Sequence, residues 1–375
     1  MRRYFLQGGG FAGMRRGCGL GFGVVGAGVS GIAAAGLVLV TGATGFVGAA
    51  VARALAGRGV SVRLMHRAGS DLANLACVPG ERVVGDLTDP ASLGRAVAGC
   101  RYVFHVAADY RLFVPDPAAM RRINIDGTVA LLRAARAAGV ERVVYTSSVA
   151  ALGLIGDGTP ADELTPNEAA DHVGPYKRSK YEAEVAVRSL AAQGLDVVIV
   201  NPTAPVGPGD IKPTPTGRMV LDAARGKMPA YVETGMNIVH VDDVAAGHIL
   251  ALERGRSGES YILGGEDLML SDIIGLITKL AGRKPPRVKL PIGPLMPLAA
   301  AMEAWARVSG TEPLMTRDTL TMARKLMFFS SAKAIGALGY APRPAAMAVR
   351  DALVDFSRRG LLDRARFHPD VLAVS

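Results

Sequence analysis

The chain is expected to fold as an α/β protein, a doubly wound parallel sheet with a smaller C-terminal α/β portion. Three observations lead there. Short apolar runs alternate with helical stretches from Leu37 to Thr146, a glycine-spaced turn follows the first run, and the rhythm gives way beyond Asn201 to Pro- and Gly-rich connections. At 375 residues, 50% hydrophobic and 20% charged, the chain can bury a full core, which excludes a disordered or collagen-like polymer. Mean hydropathy is +0.26, yet no window of about twenty strongly apolar residues stands outside the N-terminal stretch, which excludes a multi-span membrane protein.

Leu37 to Val40 is a continuous apolar run, the pattern of a strand buried on both faces, and it leads straight into Thr41-Gly42-Ala43-Thr44-Gly45-Phe46-Val47-Gly48 and a helix to about Ala56. Without Cβ atoms at Gly42, Gly45 and Gly48, the backbone turns tightly, can approach a pyrophosphate whose charge meets the open N–H groups of the helix start, and lets that helix pack closely on the sheet. Thr44, Phe46 and Val47 lie on the same turn. The second strand, Val60 to Met65, ends in His66-Arg67 where an NAD-preferring site carries an acid; the nearest, Asp71, comes later. Arg67 suits a 2′-phosphate, so NADP is preferred over NAD. A third strand, Arg82 to Gly85, ends in Asp86-Leu87, where a carboxylate can meet an adenine amino group. After a helix from Pro90 to Ala98, the fourth strand, Tyr102 to Val106, is followed by Ala107 and Ala108, small enough to leave room for ribose and nicotinamide. A long helix from about Ala118 to Ala138 carries Asn124, and Arg142 to Thr146 is the fifth strand. The whole is a Rossmann-type arrangement, with ligands at the carboxyl ends of the strands.

The fifth strand runs into Ser147-Ser148, and 28 residues beyond Ser148 stands Tyr176-Lys177-Arg178-Ser179-Lys180. Residues four apart share a helix face, so Tyr176 and Lys180 point together into the cleft where Ser148 also lies. A phenol with a pKa near 10 is a poor base at neutral pH; lowering it to about 7 takes roughly 4 kcal/mol. An ammonium one turn away and the positive ring of an oxidised nicotinamide both favour the phenolate. The expected division of labour has Ser148 bonding the reacting oxygen, Tyr176 moving the proton and the nicotinamide exchanging hydride.

TGATGFVG, HVAA, NIDGT, YTSSVAALG, YKRSK and VNPTAPVGPGD, in this order, resemble the extended short-chain dehydrogenase/reductase superfamily, from Leu37 to about Phe356. More narrowly, HVAADYRLFVPDP, DIKPTPTGRM, VHVDDVAAGHILALERG, YILGGEDL and ARKLMFFSSAKA are similar to hopanoid-associated sugar epimerases, related in turn to dihydroflavonol 4-reductases. The resemblance implies catalytic roles for Ser148, Tyr176 and Lys180, and cofactor contacts from Gly42, Gly45, Gly48, Arg67, Asp86 and Ala107. Leu87, Ala108, Asn124, Pro202 and Thr203, with Thr44, Phe46 and Val47, complete the candidate cofactor set, to which Tyr176 and Lys180 also belong. A sugar dehydratase is disfavoured, because Val149 stands where an acid beside the serine would be needed. A sugar epimerase is preferred; the alternatives are an NADPH-dependent ketone reductase and a non-catalytic NADP-binding regulator.

These readings divide the chain into an extension (1–36), a nucleotide-binding portion (37–205), a substrate portion interleaved with the last strands (206–360) and a tail (361–375). Pro202 to Asp210 reads as a stiff loop, continued by Ile211 to Arg218; Lys212 and Arg218 on it, with Tyr110 and Arg111 after the fourth strand, are candidate substrate contacts. Asn237 to Val241 reads as a strand, with Asp242-Asp243 capping a helix to about Glu253, and Tyr261 to Leu263 as another. Leu290 to Ala306 is apolar on nearly every face and reads as core or dimer contact, with a lid or a membrane-touching patch as the lesser alternative. The extension holds four arginines and no acid. Its Arg2-Arg3 start admits twin-arginine export, although a cytoplasmic protein is preferred, and its GxGxxG match at Gly26, Gly28 and Gly31 lacks room for a βαβ unit. The net charge of +10 falls on cations that read as spread along the chain, so nucleic acid is not an expected partner. A sugar-like or lipid-linked small molecule and a homodimer are, the dimer pairing through the helices near Ala118 and Tyr176. Membrane contact is possible but not expected. Three separated cysteines and six scattered histidines offer no metal site.

Overall fold

The computed structural model describes residues 36–111, 116–169, 172, 174–309, 315–368 and 371. The N-terminal extension, with its twin-arginine start and its GxGxxG match, lies outside them. The first half alternates as the sequence predicts: β1 (Val38–Thr41), α1 (Phe46–Ala56), β2 (Val62–His66), β3 (Glu81–Val84), α2 (Pro90–Val97), β4 (Tyr102–His105), α3 (Pro117–Arg121), α4 (Gly127–Ala137), β5 (Arg142–Thr146), α5 (Pro175–Ala192) and β6 (Val197–Pro202). There follow β7 (Ala204–Val206), α6 (Pro215–Arg225), β8 (Ala230–Tyr231), β9 (Gly235–His240), α7 (Val241–Arg254), β10 (Ser260–Leu263), β11 (Glu266–Met269), α8 (Leu270–Leu280), β12 (Val288–Lys289), α9 (Ile292–Ser309), α10 (Arg317–Met322), β13 (Leu326–Met327), α11 (Ala332–Leu338) and α12 (Ala345–Arg358).

Seven parallel strands form the main sheet in the order β10-β6-β5-β4-β1-β2-β3. Order reverses between β1 and β4, and ligands bind at such a switch point, at the strands' carboxyl ends. Successive side chains face opposite layers. Val38 and Val40 join a core with α1 and α7, while Leu39 joins the core beneath α2, α4 and α5; Val144 and Val143, then Val200 and Ile199, divide the same way. A third core gathers α6, α8 and α12 beside a small sheet in which β9 pairs with β7, β11 and β13.

Four expectations are corrected. The helix near 118–138 is broken into α3 and α4 by a π-helical turn, Arg122–Asp126, which carries Asn124; such turns are common at functional sites. The stretch after Pro202 contains β7 rather than loop alone, because β9 supplies a pairing edge that no local pattern reveals, and Arg218 lies in α6, capped by Thr214. The cap of α7 is His240, whose Nδ1 accepts from the Asp242 N–H, while Asp242 and Asp243 occupy the first turn and favour the helix dipole. The fourth concerns α9, read as core or dimer contact, and touches only the core half of that reading. Its Leu298, Trp305 and Val308 are exposed.

Candidate active site

The glycine turn between β1 and α1 has the geometry the sequence demands. Gly42 has φ +64°, and a Cβ on it would lie 2.8 Å from the Ala107 backbone; a Cβ on Gly48 would lie 2.1 Å from the Gly42 carbonyl oxygen. Gly45 begins α1 without a side-chain cap, no acid stands in the first turn, and a Cβ there would meet only the Gly42 carbonyl at 3.2 Å. The N–H groups of an eleven-residue helix therefore open on space that only glycine leaves clear, a fit for a pyrophosphate. Phe46 is buried in the core and Val47 packs against it, so these two face a ligand through backbone rather than side chain. Thr44 is half-buried, and its carbonyl accepts from the Asn74 amide, which also donates to the Gly209 carbonyl.

Around this turn, β2 delivers Arg67 to an exposed end where its charge reaches Asp86 and Asp109. Asp71, the nearest acid along the chain, is occupied in accepting from the Ala73 N–H. Two bonds from Thr88 hold the Asp86 carboxyl below its usual range, while Leu87 is buried against Gly127. Ala107 and Ala108 leave β4 half-buried. The Thr41 hydroxyl accepts from the Val106 and Ala107 N–H groups, so its own proton goes to His105 Nδ1 at 2.9 Å, and Nε2 donates to Thr128 at 2.9 Å. Burial and the Lys180 cation push His105 down to about 3, which keeps it neutral as this pattern requires.

The three chemical residues converge from β5 and α5. Ser148 caps the short turn Val149–Ala151, accepting from the Ala150 N–H, and its hydroxyl bonds the half-buried Tyr176 phenol. Lys180 is buried, donates to the Thr146 carbonyl at 2.9 Å and lies 5.4 Å over the Tyr145 ring. Burial lowers it to about 8 against the raising effect of Glu184. Burial pushes Tyr176 up, and the Ser148 bond opposes it in part.

Several polar groups escaped the sequence reading. Glu184, one turn beyond Lys180, is buried; it accepts from Ser147 at 2.6 Å and Asn201 at 2.9 Å, and pairs with Arg188 at 2.7 Å. Asn201 also donates to the Ser148 carbonyl, tying β6 to the end of β5. His248 donates through Nδ1 to the Val244 carbonyl and accepts from Thr146 at Nε2; burial pushes it down to about 4. The available signals were the i+4 spacing of Glu184 from Lys180 and single polar residues inside apolar strands, Asn201 and His105. Asn124 is buried, and its amide bonds the Asp109 backbone in both directions and donates to Ser179, so it positions the β4 loop against α5.

The substrate candidates are dispersed. Arg111 is folded back on Asp109 at 2.5 Å, and Tyr110 is half-exposed within electrostatic reach of buried Asp210. Asp210 accepts from the Thr214 N–H and hydroxyl, anchoring the loop that displays exposed Lys212 and, on α6, exposed Arg218. Pro202 ends β6, and the Thr203 hydroxyl donates to Asn237 at 2.9 Å.

Residues 38–264 match the model of the NAD dependent epimerase/dehydratase family. The chain belongs to that family. As such it is an NAD(P)-dependent enzyme of the extended short-chain dehydrogenase/reductase type. It is 43% identical over 333 residues, 88% of this chain and 97% of the other, to a Synechocystis sp. protein named provisionally as dihydroflavonol 4-reductase. It is 35% identical over 326 residues, 86% and 99% of the two chains, to sterol demethylase protein B of Methylococcus capsulatus. Among solved structures it is similar to gox2253, with TM-score 0.79 and 57% identity, covering 87% of this chain and 99% of that one. A nucleoside-diphosphate-sugar epimerase from Pseudomonas aeruginosa gives TM-score 0.72 and 28% identity, with the same coverage.

Proposed function

We propose that this enzyme reduces a ketone of a small-molecule substrate to a carbinol with NADPH. The observation that carries the reading is Arg67, a cation at the exposed end of β2 where no carboxylate stands to hold ribose hydroxyls. When bound, the dihydronicotinamide supplies hydride to the carbonyl carbon. The backbone N–H groups from Gly45 onward would hold the pyrophosphate, Asp86 would meet the adenine amino group and Ala107 would leave room for the nicotinamide ribose. Ser148 donates to the carbonyl oxygen, Tyr176 delivers its proton to that oxygen, and the Lys180 ammonium steadies the phenolate left behind. A phenol held high by burial is suited to remain protonated until the carbonyl arrives. The relatives named as reductases support this direction.

A second reading keeps the hopanoid-associated sugar epimerase, in which the same groups run the hydride step forward and back at one carbon; the likeness to the Pseudomonas epimerase favours it. In both readings the enzyme pairs as a homodimer through α4 and α5, where Val185 is exposed. The deciding experiment is the nucleotide. Exchangeable NADPH consumed one for one with product supports reduction, and replacing Arg67 by Ala should erode the preference for NADPH over NADH. Retained NAD with no net consumption selects the epimerase and sinks the first reading.

A further inference from the structure

The exposed face of α9 inverts the usual pattern. Pro294, Leu298, Ala301, Trp305 and Val308 are exposed at spacings of three and four, a stripe along one side of an 18-residue helix, with Trp305 68% and Val308 83% accessible. Buried Ala299 and Ala306 lie on the opposite side. The one carboxylate of the helix, Glu303, is turned toward α10, where Arg317 pairs with it at 3.0 Å. A surface helix ordinarily puts its charge where this one puts tryptophan.

The charge lies around it instead. Residues 283–325 hold eight Lys and Arg against three Asp and Glu, a net +5 of the chain's +10; the first 36 residues hold +4, leaving +1 for everything else. The cations themselves are spread along the chain, 31 of the 43 lying outside these two stretches, but there 30 acids nearly balance them, so the net charge is local. Lys284, Arg287 and Lys289 are exposed on the approach to α9, with half-exposed Val288 among them, and Arg324 and Lys325 are exposed beyond α10. Among the described residues, Lys289 alone of these five has an ion-pair partner, Glu233 at 3.5 Å.

We propose that α9 is a membrane-docking helix that lies flat in the headgroup region of an anionic bilayer, its apolar stripe inserted and its flanking cations on lipid phosphates. Trp beside an apolar helix face with Lys and Arg at its ends is the pattern of an interfacial helix. No helix among the described residues is long and apolar enough to cross a membrane, so the contact is a surface one. The docked face adjoins the catalytic helix: α10 packs on α9, and its Asp318 sits against Gly174, two residues before Tyr176, while burial and then the nearby Lys325 cation lower the Lys177 amine. The proposal does not depend on the direction of the hydride step.

Trp305 is the only tryptophan in the chain, so its emission reports on this face. The full-length protein is titrated with vesicles of phosphatidylglycerol or of phosphatidylcholine, following emission and co-sedimentation. Docking predicts a blue shift and pelleting with phosphatidylglycerol that high salt reverses. Apparent partitioning should fall by about tenfold or more in the double variant Lys284→Glu, Arg287→Glu. A second double variant, Leu298→Gln with Val308→Gln, should weaken it too, and turnover of a soluble ketone should be unchanged in both. Emission that stays at its aqueous position with phosphatidylglycerol overturns the proposal, as does equal binding to phosphatidylcholine. A blue shift that grows with protein concentration alone and tracks dimer mass would assign the face to a second copy of this chain and overturn it as well.

Discussion

The chain from β1 to β6 and the chain beyond it use polar residues in opposite ways. In the first part the groups around the candidate proton path are packed inside with fixed partners: Lys180 on a carbonyl, Glu184 on three donors, His105 neutral between two hydroxyls. In the second, Lys212, Arg218, Arg287 and Trp305 stand in solvent. The difference teaches that proton handling is built into a rigid frame, where a small shift in position is costly, whereas recognition is displayed on loops and helix faces that can change without disturbing the frame.

Breaking the frame should therefore have the larger effects. Tyr176→Phe should lower kcat by on the order of 10²- to 10⁴-fold while calorimetry shows the nucleotide still bound; unchanged turnover would remove Tyr176 from the reaction. Gly48→Ala comes next, since its methyl would meet the Gly42 carbonyl at 2.1 Å; we expect a loss of about 1–3 kcal/mol in denaturant unfolding, with weakened nucleotide affinity. Glu184→Gln sharpens the comparison further. Lys180 is held near 8, and Glu184 raises it. Removing the anion favours the neutral amine, so the alkaline limb of the kcat/KM profile should move to lower pH, whereas a purely structural role would lower activity at all pH values alike.

The buried histidines carry a stability signature of their own. In the unfolded chain they take up protons below about 6.5, but the folded values lie near 3 for His105 and near 4 for His248. The unfolded state thus binds more protons across that interval, and stability should fall as pH drops from about 6.5 toward 4. His248→Asn should flatten part of that slope in thermal melts. The smallest effects belong to the displayed surface: Lys212→Ala and Arg218→Ala should change KM by a few-fold with kcat intact, and a fall in kcat would move these residues into the frame.

The first five strands and the Ser148, Tyr176 and Lys180 set were legible because the evidence for each is local. A glycine turn after an apolar run, and a phenol and an amine one turn apart, need no knowledge of distant chain. The strand β7, the His240 cap and the exposure of α9 were not legible. Each depends on whether another segment supplies a pairing edge, an acceptor or a cover. Glu184 lies between these cases: its spacing from Lys180 was readable, but its burial against Ser147 and Asn201 was not.

The sequence by itself determined the doubly wound sheet, the glycine turn that admits a pyrophosphate, and which side chains could move a proton, because backbone sterics and helical periodicity act over a few residues. Only the tertiary structure decided the electrostatics. It buried Lys180 beside Glu184, held two histidines neutral, raised the Tyr176 phenol by burial, and left an apolar helix face among cations, because desolvation depends on which distant segments close over a group.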